Sequence, residues 1–108
     1  MNVIYVPLSQ VQTNTNTYEV IVSEKAERQL KKIPMHIVLN LLTWIENIKT
    51  DGLIKTRKIS GFHDEPLKGN RKGQRSIRLN KAYRAIYIID KNGKTQIIEI
   101  IEVSKHAY

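Results

Sequence analysis

Three segments in the second half of the chain decide the fold: Arg75-Ser-Ile-Arg-Leu-Asn80, Ala82-Tyr-Arg-Ala-Ile-Tyr-Ile-Ile-Asp90 and Thr95-Gln-Ile-Ile-Glu-Ile-Ile-Glu-Val-Ser104. Each has the length of a strand and is rich in β-branched and aromatic residues, and Asn92-Gly93 between the last two is a strong hairpin signal. They read as a meander of antiparallel strands. Side chains alternate across a strand, so Ser76, Arg78 and Asn80 project to one face and Ile77 and Leu79 to the other. Arg84 shares a face with Ile86 and Ile88. The register of that second strand stays open, because large apolar residues occupy both of its faces.

Upstream, Tyr18, Val20 and Val22 alternate with Glu19 and Ile21 and predict a first core strand beginning at Thr17. Ser23 then offers an N-cap hydroxyl. Glu24 and Glu27 follow near the positive end of a helix dipole, with Ala26, Leu30 and Ile33 on one face, which predicts a short helix over about 23–33. Pro34 suits the first turn of a second helix, where Val38, Leu41, Leu42, Ile45 and Ile48 recur at three- and four-residue spacing up to about Lys49. Asp51-Gly52 ends it. Trp44 lies near the same stripe and reads as a core or interface anchor. The expected architecture is α+β: a two-helix antiparallel hairpin packed on one face of a mainly antiparallel four-stranded sheet, the other face free. Arg78 should stand on that free face.

The chain of 108 residues has room for one domain, and 41% hydrophobic residues can build its core. Residues 1–16 carry a short apolar piece, Val3-Ile4-Tyr5-Val6, and a polar run without period, and are expected to be an N-terminal extension to a domain over 17–108. The absence of cysteine excludes a disulfide framework, a thiol nucleophile and a thiolate zinc site, and the three histidines offer no metal-ligand spacing. No cofactor or metal is expected. No apolar run approaches the roughly 18 to 20 residues that span a bilayer, so a soluble, cytoplasmic protein is expected.

The charge is unevenly placed. Lys and Arg number 18 against 10 Asp and Glu, a formal net charge of +8. All of the excess lies within residues 55–84, where Asp64 and Glu65 are the only acids; the rest of the chain is neutral. A surface so concentrated fits a polyanion partner.

The segment Leu67-Lys-Gly-Asn-Arg-Lys-Gly-Gln-Arg-Ser-Ile-Arg-Leu-Asn80, followed by Tyr83-Arg84 and ending in His106-Ala-Tyr108, resembles the HigB branch of the RelE/ParE toxin superfamily. The resemblance runs over about 17–108. It implies the toxin of a type II toxin–antitoxin system, an endoribonuclease that cuts mRNA in the ribosomal A site and is neutralised by a cognate antitoxin. It further implies that Lys68, Arg71, Arg78 and Arg84 contact RNA backbone or the reacting phosphate, with Lys72 and Arg75 as further RNA or ribosome contacts. Arg71 can alternatively grip ribosomal RNA, and Arg84 can pack its stem over the sheet.

Metal-free RNA cleavage needs the 2′-hydroxyl deprotonated, the phosphorane charge stabilised and the 5′-oxygen protonated, so cations and one or two proton-transfer groups suffice. Family members finish with a His/Asp/Tyr cluster that supplies the latter. Here the order is His106, Ala107, Tyr108, which puts no acid at position 107. His106 is the better base, since its reference pKa near 6.5 allows proton exchange at neutral pH and that of tyrosine, near 10, does not. His63 and Glu65 precede the Leu67-Lys68-Gly69 segment, where some members carry a functional histidine; Glu65 can stand there as a base or cap a turn. Two other readings belong to the resemblance: a ParE-like DNA gyrase inhibitor, and a degenerate RNA- or ribosome-binding module without catalysis.

Overall fold

The computed structural model describes residues 17–105; the expected extension over 1–16 and the terminal His106, Ala107 and Tyr108 lie outside the described residues. The order is β1 (Thr17–Val22), α1 (Glu24–Leu30), α2 (Met35–Asp51), α3 (Leu53–Arg57), β2 (Glu65–Pro66), β3 (Arg75–Arg78), β4 (Tyr83–Asn92) and β5 (Thr95–Lys105). Short 3₁₀ turns at Ser60–Phe62 and Gly69–Arg71 interrupt the long connection from α3 to β3.

Local chemistry explains the helix limits. The Ser23 hydroxyl accepts from the Ala26 N–H at 3.1 Å and caps α1 as expected. The helix stops at Leu30 rather than Ile33, because the residue before a proline is pushed out of the α region and Ile33 precedes Pro34. In α2 the buried stripe is Ile37, Leu41, Trp44 and Ile48. Leu42, expected in that stripe, lies about 100° round the helix from Leu41 and is 51% exposed. Gly52, at φ 85°, ends α2 where expected, but five further residues form α3, whose Thr56 hydroxyl donates to the Gly52 carbonyl at 2.7 Å. Five residues are too few to show a helical period.

The sheet has five strands, not four, in the order β1-β5-β4-β3-β2. The additional strand, β2, is the pair Glu65–Pro66, too short to alternate and carrying a proline tolerated at an edge. All pairings are antiparallel except β1 with β5, which is parallel. There are three helices where a two-helix hairpin on the sheet was expected: α1 packs on β5, and α2 on β1 and on the added α3, with Trp44 of α2 against Tyr87 of β4. In the β4–β5 hairpin Asn92 pairs with Thr95, so the two loop residues are Gly93 and Lys94, and Gly93 supplies the positive φ of 62° that such a turn requires.

Ile77, Ala85, Tyr87, Ile98, Ile100 and Val103 meet Trp44 and Ile48 in one core. The step from Ile100 to Val103 reflects a bulge: Tyr87 pairs with Ile100 and Ile86 with Glu102, leaving Ile101 extra. Among the described residues no helix is long and apolar enough to cross a membrane.

Candidate functional site

The β3–β4 register settles which side chains share the free face. Arg78 pairs with Arg84, and Ser76 with Ile86. The two arginines therefore stand on directly opposed positions of neighbouring strands, a placement that costs stability for like charges. Among the described residues neither makes an ion pair, and the Arg84 Nε is buried without a hydrogen-bond partner. An anion between them would relieve both conditions.

They form one wall of a small cleft, also lined by His63, Glu65, Ser76, Asn80, Lys81 and Tyr83. The turn below it is held firmly. The Asn80 carboxamide oxygen accepts from the N–H groups of Ala82 (2.8 Å) and Tyr83 (2.7 Å), and Asn40 of α2 donates to the Leu79 carbonyl at 2.8 Å. Across the cleft, β2 pairs Glu65 with Ser76, which brings the carboxylate to the arginine face. His63 Nε2 lies 3.7 Å from Glu65 Oε2, and both side chains are more than half exposed. Three cations, one carboxylate and one imidazole thus share one opening. Lys105, the last described residue, pairs with Tyr83 of the cleft wall and holds its ammonium 5.8 Å above that ring.

The cations expected in one RNA-contacting set are divided by the structure. Arg78 and Arg84 line the cleft; Lys68 and Lys72 are exposed on the loop between β2 and β3, away from its described walls. Arg71 is not free. Its guanidinium donates to Gln74 at 2.8 Å and to Glu102 of β5 at 2.7 Å, pinning the loop over the sheet. Burial works to raise the Glu102 pKa, but hydrogen bonds from Arg71 and Ser104 outweigh it and hold the carboxyl below its usual value. Arg75 projects to the helix side, where its Nε donates to the fully buried Asp64 carboxylate at 2.7 Å. Arg75, expected as an RNA or ribosome contact, stands an odd number of positions from Arg78 and so on the opposite face of β3. His106 and Tyr108 lie outside the described residues. Among the described residues no cluster of three His, Asp or Glu side chains could hold a metal ion.

Sequence reasoning misses Asn80, Lys81, Tyr83 and Ser76 as site residues, although Asn80 and Ser76 share the alternation of Arg78. Lys81 and Tyr83 enter through the turn.

The helix layer on a five-stranded sheet is shared with solved structures of toxins of the YoeB, YafQ and RelE type. The structure of the YoeB/ParE toxin from Agrobacterium tumefaciens superposes with a TM-score of 0.65 at 22% identity, covering 82% of this chain and 99% of that one. YafQ from E. coli strain BL21(DE3) gives 0.58 at 16% identity (83% and 94%), and the YoeB-YefM complex from Staphylococcus aureus gives 0.61 at 22% (83% and 98%). These likenesses reach the fold shared by such toxins, without singling out the HigB branch. No family model and no curated protein matches the sequence.

Proposed function

We propose that this chain is the toxin of a type II toxin–antitoxin pair, an endoribonuclease that cuts mRNA on the ribosome. The observation that carries it is the meeting, in one cleft, of the opposed Arg78 and Arg84 with the Glu65–His63 pair. In this reading the guanidinium groups hold the scissile phosphate. Glu65, beside His63, takes the proton of the 2′-hydroxyl; the 2′-oxygen then bonds to phosphorus and the bond to the 5′-oxygen breaks. The products are a 2′,3′-cyclic phosphate and a 5′-hydroxyl. The leaving oxygen needs a proton, for which His106 and Tyr108 are the groups of the right chemistry, and the described chain ends beside the cleft at Lys105. Arg84 meets the growing charge of the phosphorane, a role for which one preorganised donor contributes about 3 kcal/mol.

The exposed Lys68 and Lys72 on the loop between β2 and β3 suit ribosomal RNA. The basic surface suits an acidic antitoxin segment, and YoeB of Staphylococcus aureus is seen in complex with YefM. The protein acts in this reading in the cytoplasm, where translation occurs.

Primer extension on an mRNA under translation tests it, with the same RNA lacking ribosomes as control. Cuts should appear only during translation and weaken by about 100-fold in Arg84→Ala and Glu65→Gln, the scale of losing about 2.7 kcal/mol of transition-state stabilisation. Uncut RNA from folded, ribosome-bound protein would favour the degenerate binding module; absence of ribosome binding would direct attention to gyrase.

A further inference from the structure

We infer that Asp64, Tyr87 and Arg75 form a buried clamp that positions His63 and Glu65 at the cleft. Asp64 stands between those two residues and turns the opposite way: they line the cleft, while its own carboxylate is fully buried on the helix side. One carboxylate oxygen accepts from Arg75 Nε at 2.7 Å and the other from the Tyr87 hydroxyl at 2.5 Å. Both donors are rooted in the sheet, on paired positions of β3 and β4. Tyr87 is itself wholly buried and its ring lies 4.9 Å from that of Trp44. A long surface connection is therefore fastened, at the residue between its two cleft-facing side chains, to the paired strands β3 and β4.

The neighbours need that fastening. His63 has φ 47°, the one non-glycine residue with positive φ among those described, and such backbone persists only where its surroundings hold it. Glu65 belongs to a strand of two residues. Neither side chain is locked by packing, being 55% and 58% exposed. A buried charged group is a poor device for stability alone, since apolar replacements of similar volume do as well or better, whereas it fixes geometry through directed bonds. Burial, then the hydrogen bond to Asp64, push the Tyr87 pKa up to about 12, against the opposing charge of Arg57, so the hydroxyl stays a donor throughout the neutral range.

This clamp rests on the proposed reading of Glu65 as base, and the test separates the two. Full-length Tyr87→Phe, which keeps the ring, and Asp64→Asn, which keeps the shape, are compared with the unaltered chain in ribosome-dependent cleavage and in residue-resolved hydrogen exchange. In either variant kcat should fall by about 10- to 100-fold, the scale of a misplaced reacting group, with RNA affinity unchanged. Exchange should quicken by about tenfold at the amides of His63, bonded to Ser60 O at 3.1 Å, and Leu67, bonded to Gln74 O at 2.9 Å, and stay as before in β4 and β5. An unaltered kcat in a folded Tyr87→Phe chain overturns the clamp. So does exchange that quickens equally in every strand. Should the unaltered chain fail to cut RNA, the reading of Glu65 falls, and the local or uniform exchange pattern still decides whether the clamp exists.

Discussion

The two faces of β3 use the same residue type in opposite ways. On the helix side Arg75 is paired with a buried carboxylate that a buried tyrosine also reaches; on the free side Arg78 is opposed to Arg84 across the strands, and among the described residues neither makes an ion pair. Three residues apart, one arginine has its ion-pair partner built in and the other has none among the described residues. The first arrangement satisfies its own charges and fixes geometry through directed bonds, and the second costs the fold something. The connection before β2 repeats the division within three residues: Asp64 turns inward, and His63 and Glu65 turn toward the cleft.

Four measurements break or sharpen this contrast. The largest effect should come from Asp64→Ala, which leaves Arg75 beside an empty polar site and removes the acceptor of Tyr87; a loss of about 3 kcal/mol in denaturant unfolding is expected. Equal stability would mean that the inner cluster is not a stabilising one. Next, Arg84→Ala should cost about 2.7 kcal/mol in cleavage, that is about 100-fold, and leave the melting temperature unchanged or slightly raised, since a like-charge contact is lifted. A large drop in melting temperature would assign Arg84 to the fold.

The third is a pH dependence. Tyr87 has its folded pKa raised from 10.0 to about 12, so the stability it contributes is complete below pH 10 and is lost as pH climbs from about 10 to 12. About 2 kcal/mol should disappear over that window and should not in Tyr87→Phe, as read by unfolding curves in alkaline buffer. The smallest effect belongs to Arg71→Gln. Its bond to Glu102 is partly exposed, with side-chain exposures of 36% and 13%, so at most about 1 kcal/mol is expected. Because the Glu102 pKa is lowered in the folded state, that contribution is present above the ordinary carboxylate range and lost as pH falls through and below about 4.5.

Much of this division is legible in the residues themselves. The alternation of Ser76, Ile77, Arg78 and Leu79 places Arg78 on the free face, and the fold agrees. Arg84 is harder, because apolar residues on both faces of β4 hide its register, and the pairing with Arg78 resolves it. The ion pairs of Arg71 and Arg75 do not show in the sequence, because their acids, Glu102 and Asp64, lie 31 and 11 residues away. A count of charge by segment sees the excess but not which charges are paired.

Local pattern sufficed for what depends on neighbours in the chain: the Ser23 cap, the Gly52 stop, the glycine of the β4–β5 turn and the amphipathic faces, since capping, φ preference and periodicity are properties of a few consecutive residues. Tertiary structure alone decided the parallel pairing of β1 with β5, the two-residue β2, the bulge at Ile101 and the burial of Asp64. Each joins segments remote in sequence, and what selects it is the filling of one core and the satisfaction of buried polar groups, terms that exist only once the chain has closed on itself.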